Sequence, residues 1–346
     1  MHALMMLRCL KAKPIHKLIQ LGQMLQKGES ESRLLQNESR LTWVVCNYQF
    51  HQLGRPPTAN TALDVIKEKL SNHLCEAEAV SSAQLIVAHV LKKKTIATVN
   101  LEQQLSSSQW TQILELTGKR QQRIPLQYVI GEWDFLDVTL KMKPPVLIPR
   151  PETEELVRLI QHDEHFSKRN NFLEIGCGSG AISIALLKYN SQSRGVAVDC
   201  EQAACDLTME NAKLHEVTDR LSVLQVSVTN ADFVGDLQGK GAFDFIVSNP
   251  PYIPTCQIRH LQDEVRLFES HVALDGGEDG LTLINQILRH APHLLKTNGS
   301  VWLEVDSSHP AKIEQFCRKD HSKIKFINAF RDFQNINRFC HLQKIN

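Results

Sequence analysis

From residue 172 onward the chain carries short apolar runs, Phe172–Ile175, Val196–Val198, Leu221–Val226, Phe243–Val247, Val301–Val305, Ile324–Phe330 and Phe339–Leu342, with helix-like stretches between most of them. Runs this short, bounded by polar and turn-forming residues, read as strands. Strands that alternate with helices predict an α/β domain: a mostly parallel seven-stranded sheet, Rossmann-like, with helices on both faces. The last two runs are separated by only a short polar stretch, which allows an antiparallel hairpin at one edge. Ligands of such open sheets bind outside the carboxyl ends of the strands, so the segments that follow the strands are where function is sought.

The first such segment is Leu173-Glu174-Ile175-Gly176-Cys177-Gly178-Ser179-Gly180, followed by helix-like Ala181–Leu186. Glycines at a strand-to-helix turn let the backbone bend sharply and approach a ligand with no Cβ in the way. Alone, this turn fits NAD, a flavin or S-adenosylmethionine, or a purely structural role; its G-x-G-x-G spacing departs from the dinucleotide G-x-G-x-x-G. Asp199 ends the next strand a little over twenty residues after Gly176, where a carboxylate can accept both hydroxyls of a ribose. The third segment, Asn249-Pro250-Pro251-Tyr252, follows Phe243–Ser248 and faces the same crevice. Two prolines stiffen the backbone there. The Asn249 side-chain oxygen and the Pro250 carbonyl can accept the two protons of a planar NH2 group, with Tyr252 stacked on its face. Held this way, a weak nitrogen nucleophile presents its lone pair to an electrophilic methyl, and rate comes from positioning and electrostatics.

Upstream, helices are expected from Thr61, with Asp64 completing a capping-box-like start, from Ser81-Ser82 through Leu91, and from Ser106–Ser108 through Leu116. Between Gln127 and Val146, Tyr128, Val129, Trp133, Phe135, Val138 and Leu140 alternate in strand fashion and predict a β-hairpin. Pro144–Pro151 forces an extended segment, and Glu152–Gln161 opens a new helix. The expected organisation is a transit segment over 1–28, a polar linker over 29–60, a helical substrate-recognition domain over 61–126, a hairpin connector over 127–150 and a catalytic domain over 151–346.

Glu174–Gly180, Asp199 and Asn249–Tyr252 look like the motifs of class I S-adenosylmethionine-dependent methyltransferases, and the chain from about Thr61 to its end resembles the HemK/PrmC family of protein-(glutamine-N5) methyltransferases. Three further stretches carry the resemblance: Arg123–Gly131, Leu147–Glu154 and Ala273–Leu281. The resemblance implies methylation of the Gly-Gly-Gln glutamine of a class I peptide-chain release factor, with S-adenosylmethionine as cofactor. By position, Glu174, Ile175, Gly176, Cys177, Gly178 and Asp199 would hold the donor together with Asn249, while Asn249, Pro250, Pro251 and Tyr252 would hold the glutamine amide. Where relatives often place an acid beside the adenine this chain has Ser227-Val228, which makes Val228 the adenine-pocket candidate. Arg150 and Glu154 are placed either at the entrance between domains or in surface salt bridges.

A formal charge of +1 gives no general basic surface for phosphate contacts, so direct nucleic-acid binding is not required. The nine cysteines form no C-x-x-C pair and no zinc-ligand spacing, and read as reduced thiols with no metal. No run of about 18 apolar residues is present, so no membrane span is expected, and a monomer suffices. Residues 1–28 contain no Asp or Glu but carry Arg8, Lys11, Lys13, Lys17 and Lys27, the composition of a mitochondrial transit peptide. An N6-adenine methyltransferase is the alternative within the same chemistry, since adenine also offers a planar NH2, but it would need a basic cleft or a base-recognition domain. A non-catalytic adaptor or an NAD-dependent oxidoreductase fits the retained Asn249 and the glycine spacing less well.

Overall fold

The computed structural model describes residues 56–163, 171–319 and 323–345. The expected transit segment and most of the expected linker lie outside the described residues. The chain divides between Gly118 and Lys119 into two compact units.

In the first unit, α1 (Ala59–Ser71), α2 (Glu76–Val90) and most of α3 (Ser107–Gln121) bury apolar stripes that include Ala62, Ile66, Leu70, Ala83, Ile86 and Ile113. Two start signals lie elsewhere than expected. Thr58 caps α1 by accepting the Thr61 N–H at 3.3 Å, and α2 begins at Glu76, so Ser81 and Ser82 lie inside it. At α3 the Ser106 hydroxyl accepts the Gln109 N–H and the Gln109 side chain accepts the Ser106 N–H, a reciprocal cap. Residues 56–58 are tied to this unit: Thr58 bridges to Gln104, and Leu105 N–H donates to the Pro57 carbonyl.

In the second unit the end of α3 is followed by a short helix, α4 (Leu126–Ile130), where strand is expected for Tyr128 and Val129. Pro125 starts it and Gly131, at φ +83°, stops it in a left-handed cap. The hairpin follows as β1 (Glu132–Phe135) and β2 (Val138–Lys141), then α5 (Pro151–His162) with proline in its first turn. The sheet strands are β3 (Asn171–Ile175), β4 (Arg194–Asp199), β5 (Leu221–Gln225), β6 (Phe243–Ser248), β7 (Leu295–Glu304), β8 (Ile324–Arg331) and β9 (Asn337–Lys344). The linking helices are α6 (Ala181–Tyr189), α7 (Gln202–Leu214), α8 (Phe233–Asp236), α9 (Thr255–Ile258), α10 (Asp263–Phe268), α11 (Thr282–Leu294) and α12 (His309–Lys319).

Strand order is β5-β4-β3-β6-β7-β9-β8, parallel from β5 to β7 and antiparallel at β9 and β8, the class I methyltransferase arrangement. Alternate residues feed opposite faces. Phe172, Ala197 and Val247 pack on one side with α5 and α6; Leu173, Val198 and Ile246 pack on the other with α11. The chain reverses direction across the sheet between β3 and β6, and at this switch point adjacent strands lead their loops apart and open a crevice.

Candidate active site

Both motif loops leave the sheet at that switch point. The Ser248 hydroxyl donates to the Ile175 carbonyl at 2.5 Å, pinning the end of β6 to the end of β3. After β3, Gly176 and Gly178 hold φ values of +78° and +54°, which side-chain-bearing residues rarely adopt. A Cβ on Gly176 would come no closer than 3.9 Å to another heavy atom, the Asn249 carbonyl oxygen, so the bare glycine backbone faces open space beside the second loop. Asp199 Oδ2 accepts the Gly178 N–H and Oδ1 accepts the Glu201 N–H, both at 3.0 Å. A carboxylate has about four acceptor sites, more than these two bonds use. A glycine cradle beside a fixed carboxylate fits a nucleoside-bearing ligand with a ribose, and nothing in the donor set calls for a metal.

Glu174 and Cys177 stand behind the cradle. Glu174 is buried at the end of β3, where it accepts the Ser183 N–H and hydroxyl in the first turn of α6. Burial pushes its carboxyl up to about 8. Cys177 is buried against the Thr208 hydroxyl at 3.4 Å. Ile175 and Val228 are buried in the core on the α11 side of the sheet, in one cluster with Val198 and Phe233. The roof is the 144–150 segment, which is not extended throughout as the prolines suggest: it turns at 144–146, where the Val146 N–H donates to the Lys143 carbonyl, and Pro151 already belongs to α5. Val146 packs on Ala204 and Leu207 of α7, with Cγ1 4.0 Å from where a Gly178 Cβ would stand. Tyr128 donates to the Val146 carbonyl at 2.6 Å. Glu269 holds the segment's far end, accepting the Ile148 N–H at 3.2 Å and pairing with Arg150 at 2.8 Å. Arg150 therefore straps this segment, and Glu154 accepts the Leu136 N–H at the hairpin turn while pairing with Arg158.

The Asn249–Tyr252 loop is held from both sides. Asn249 Nδ2 donates to Thr153 Oγ1 at 3.0 Å, Thr153 Oγ1 donates to Glu304 Oε2 at 2.8 Å, and the Tyr252 hydroxyl reaches Glu304 Oε1 at 3.4 Å. On the other side lies the Ala273–Leu281 stretch: Ile253 N–H donates to the Leu274 carbonyl, Gly276 N–H to the Ile253 carbonyl and Thr255 N–H to the Gly277 carbonyl. A Cβ on Gly276 would sit 2.8 Å from the Pro251 carbonyl oxygen, and one on Gly280 would overlap the Tyr252 carbonyl oxygen. The second glycine stretch is thus a backbone mould for the first loop.

Residues 61–131 match the PrmC N-terminal domain and residues 152–265 the methyltransferase small domain. The chain is 42% identical over 280 residues to the human MTRF1L release factor glutamine methyltransferase, covering 77% of this chain and 82% of that one. It is 31% identical over 285 residues to the release factor glutamine methyltransferase of Thermodesulfovibrio yellowstonii, covering 82% and 98%. The chain belongs to the release factor glutamine methyltransferase family.

Within this family member, Thr153, Glu269 and Glu304 are site neighbours to which the sequence alone assigns no role. Thr153 lies inside the Leu147–Glu154 stretch that carries the resemblance; Glu304 has no signal beyond being an acid at a strand end, and its partner lies 151 residues away. Burial pushes Glu304 up to about 7. Glu304 and Glu174 both bind a proton more tightly folded than unfolded. Their contribution to stability is therefore full below about pH 4.5 and is lost as pH rises to about 7 and 8. His290 and His309, held low by burial, act in the opposite sense only below about pH 6.5. The Tm of the donor-free protein should fall from pH 6.5 to pH 8, where the share of these two carboxyls is exhausted. Each such proton is worth about 1.4 kcal/mol per pH unit. Glu174→Gln should flatten the decline in a thermal-shift series, and an unchanged slope would contradict the assignment.

Proposed function

We propose that this protein transfers the methyl group of S-adenosylmethionine to the side-chain nitrogen of the glutamine in the Gly-Gly-Gln motif of a class I peptide-chain release factor. The observation that carries this reading is the orientation of Asn249. Its Nδ2 is engaged by Thr153, so its Oδ1 is the atom left to accept an N–H in the crevice beside the glycine cradle. Oδ1 and the Pro250 carbonyl would accept the two amide protons, and Tyr252, anchored through its hydroxyl to Glu304, would lie against the amide plane. Held by both N–H groups, the nitrogen points its out-of-plane electron density in one direction. When bound, S-adenosylmethionine supplies the sulfonium methyl as electrophile. Gly176, Gly178 and Asp199 would hold it, Asp199 by accepting ribose hydroxyls and the glycines by letting the backbone approach; Ile175, Cys177 and Val228 would line its surroundings, and Glu174 would act by bracing the loop. Asp199→Ala should weaken S-adenosylmethionine binding by about tenfold to a hundredfold, the worth of hydrogen bonds to a charged acceptor, read by calorimetry. Affinity equal to wild type would remove Asp199 from the site.

The human and bacterial relatives named as release factor glutamine methyltransferases support the substrate class, and the adenine-directed alternative is not favoured. The protein acts as a monomer, needs no nucleic acid, recognises its substrate partly through the helical 61–126 segment and works in mitochondria. The acid-free, basic composition of residues 1–28 supports the last point. The direct test is mass spectrometry of a mitochondrial release factor after incubation with the full chain and S-adenosylmethionine. One added methyl on the Gly-Gly-Gln glutamine is expected. Methylation of adenine in RNA or DNA, with none on the protein, would overturn the reading.

A further inference from the structure

The chain of contacts Asn249–Thr153–Glu304 does more than stabilise the loop. A carboxamide can rotate by half a turn and exchange its oxygen for its nitrogen with almost no change in shape, so packing alone does not choose its orientation. Thr153 has a single hydroxyl proton. Glu304, when ionised, can only accept, and it lies 2.8 Å from that hydroxyl, so the proton points to Glu304. The Thr153 oxygen then offers only lone pairs to Asn249, 3.0 Å away, and must be met by the NH2 end of the carboxamide.

Resting on the proposed function, we infer that Thr153 and Glu304 are positioning residues that fix the polarity of Asn249, turning Oδ1 toward the substrate amide and so selecting a nitrogen that carries two protons. Glu304 is buried, and charged or titratable groups reach it from each element packed there: Glu152 of α5, Tyr252 after β6 and Arg338 of β9. Burial raises its carboxyl while Arg338 pulls it back down. Once Glu304 is protonated, the Thr153 hydroxyl is no longer compelled to donate to it and can donate to Asn249 instead, which favours the reversed carboxamide. The same hydroxyl that selects the productive orientation at higher pH thus ceases to select it as the proton is taken up.

The test uses the full chain, a release factor bearing the Gly-Gly-Gln loop, and S-adenosylmethionine, with wild type, Thr153→Val, Thr153→Ser and Glu304→Gln compared. Thr153→Val should lower kcat by about tenfold or more, the worth of a charge-assisted hydrogen bond. Donor affinity by calorimetry should stay within about twofold of wild type, a spread too small to represent a lost hydrogen bond. Thr153→Ser, which restores the hydroxyl, should restore kcat. The wild-type kcat should decline below about pH 7, and Glu304→Gln should lack that acid limb. Wild-type kcat in both Thr153→Val and Glu304→Gln would overturn the inference. So would a loss in Thr153→Val that serine does not rescue and that comes with lost donor affinity, since that pattern marks a merely structural role. A wild-type chain that transfers no methyl to the release factor overturns the proposed function instead, whatever the variants do.

Discussion

Asn249→Ala should abolish nearly all methyl transfer to a release factor, a loss far larger than any in S-adenosylmethionine affinity. The side chain removed is the one whose Oδ1 is free to hold a substrate N–H and whose Nδ2 is already anchored to Thr153. Loss of one preorganised hydrogen-bonding group at a reacting centre costs about a hundredfold to a thousandfold in kcat. Asn249→Asp is the sharper companion. It keeps an acceptor of the same size but cannot donate to Thr153, and it sets a second carboxylate near the buried Glu304. Two like charges sharing one hydroxyl are unfavourable, so Asp should rescue little of the loss. Single-turnover methylation separates the chemical step from binding. Transfer by the alanine variant within about tenfold of wild type, smaller than the loss of one such group, would remove Asn249 from the reaction.

Much of this site is legible in the amino-acid sequence. All seven strand positions follow from short apolar runs; the central β3, β4 and β6 are buried on both faces and advertise themselves through composition alone, whereas β5 and β8 at the sheet edges carry half-buried and exposed positions. The two loops at the switch point are legible because glycines and prolines restrict the backbone locally. What is not legible depends on distant partners or on competing local signals. Tyr128 and Val129 alternate like a strand, yet Pro125 before them and Gly131 after them frame one helical turn, and these terminators outweigh β propensity. Ser81 and Ser82 are good caps by type, but the helix already runs from Glu76, where Glu76 and Glu78 complement its N-terminus. Glu304 and Glu269 act through partners more than a hundred residues away, Thr153 and Arg150, and no window of sequence contains such a pair.

The Ala273–Leu281 stretch marks the boundary between the two kinds of information. As a motif it supports the family resemblance; as geometry it explains why the first loop keeps its shape. Gly280→Ala should therefore injure catalysis from outside the crevice. The added Cβ would overlap the Tyr252 carbonyl oxygen and lie about 3 Å from the His309 ring, at a φ of +77°. The oxygen is backbone and cannot swing aside, so the loop must shift. Strain of this kind costs about 1–3 kcal/mol for overpacking, with about 1–2 more for the left-handed backbone. Gly239→Ala is the internal control, having a similar φ of +83° but no heavy atom within 4 Å of the new Cβ. Both variants should lose the backbone share of stability, but only Gly280→Ala should also lose tenfold or more in kcat, as expected for about an ångström of misplacement at the reacting group. Because the Gly176–Gly178 turn belongs to a different strand and is not touched by Gly280, donor affinity should persist in both. Equal kcat in the two variants would mean that the second glycine stretch supports the fold without setting the position of Asn249 and Tyr252.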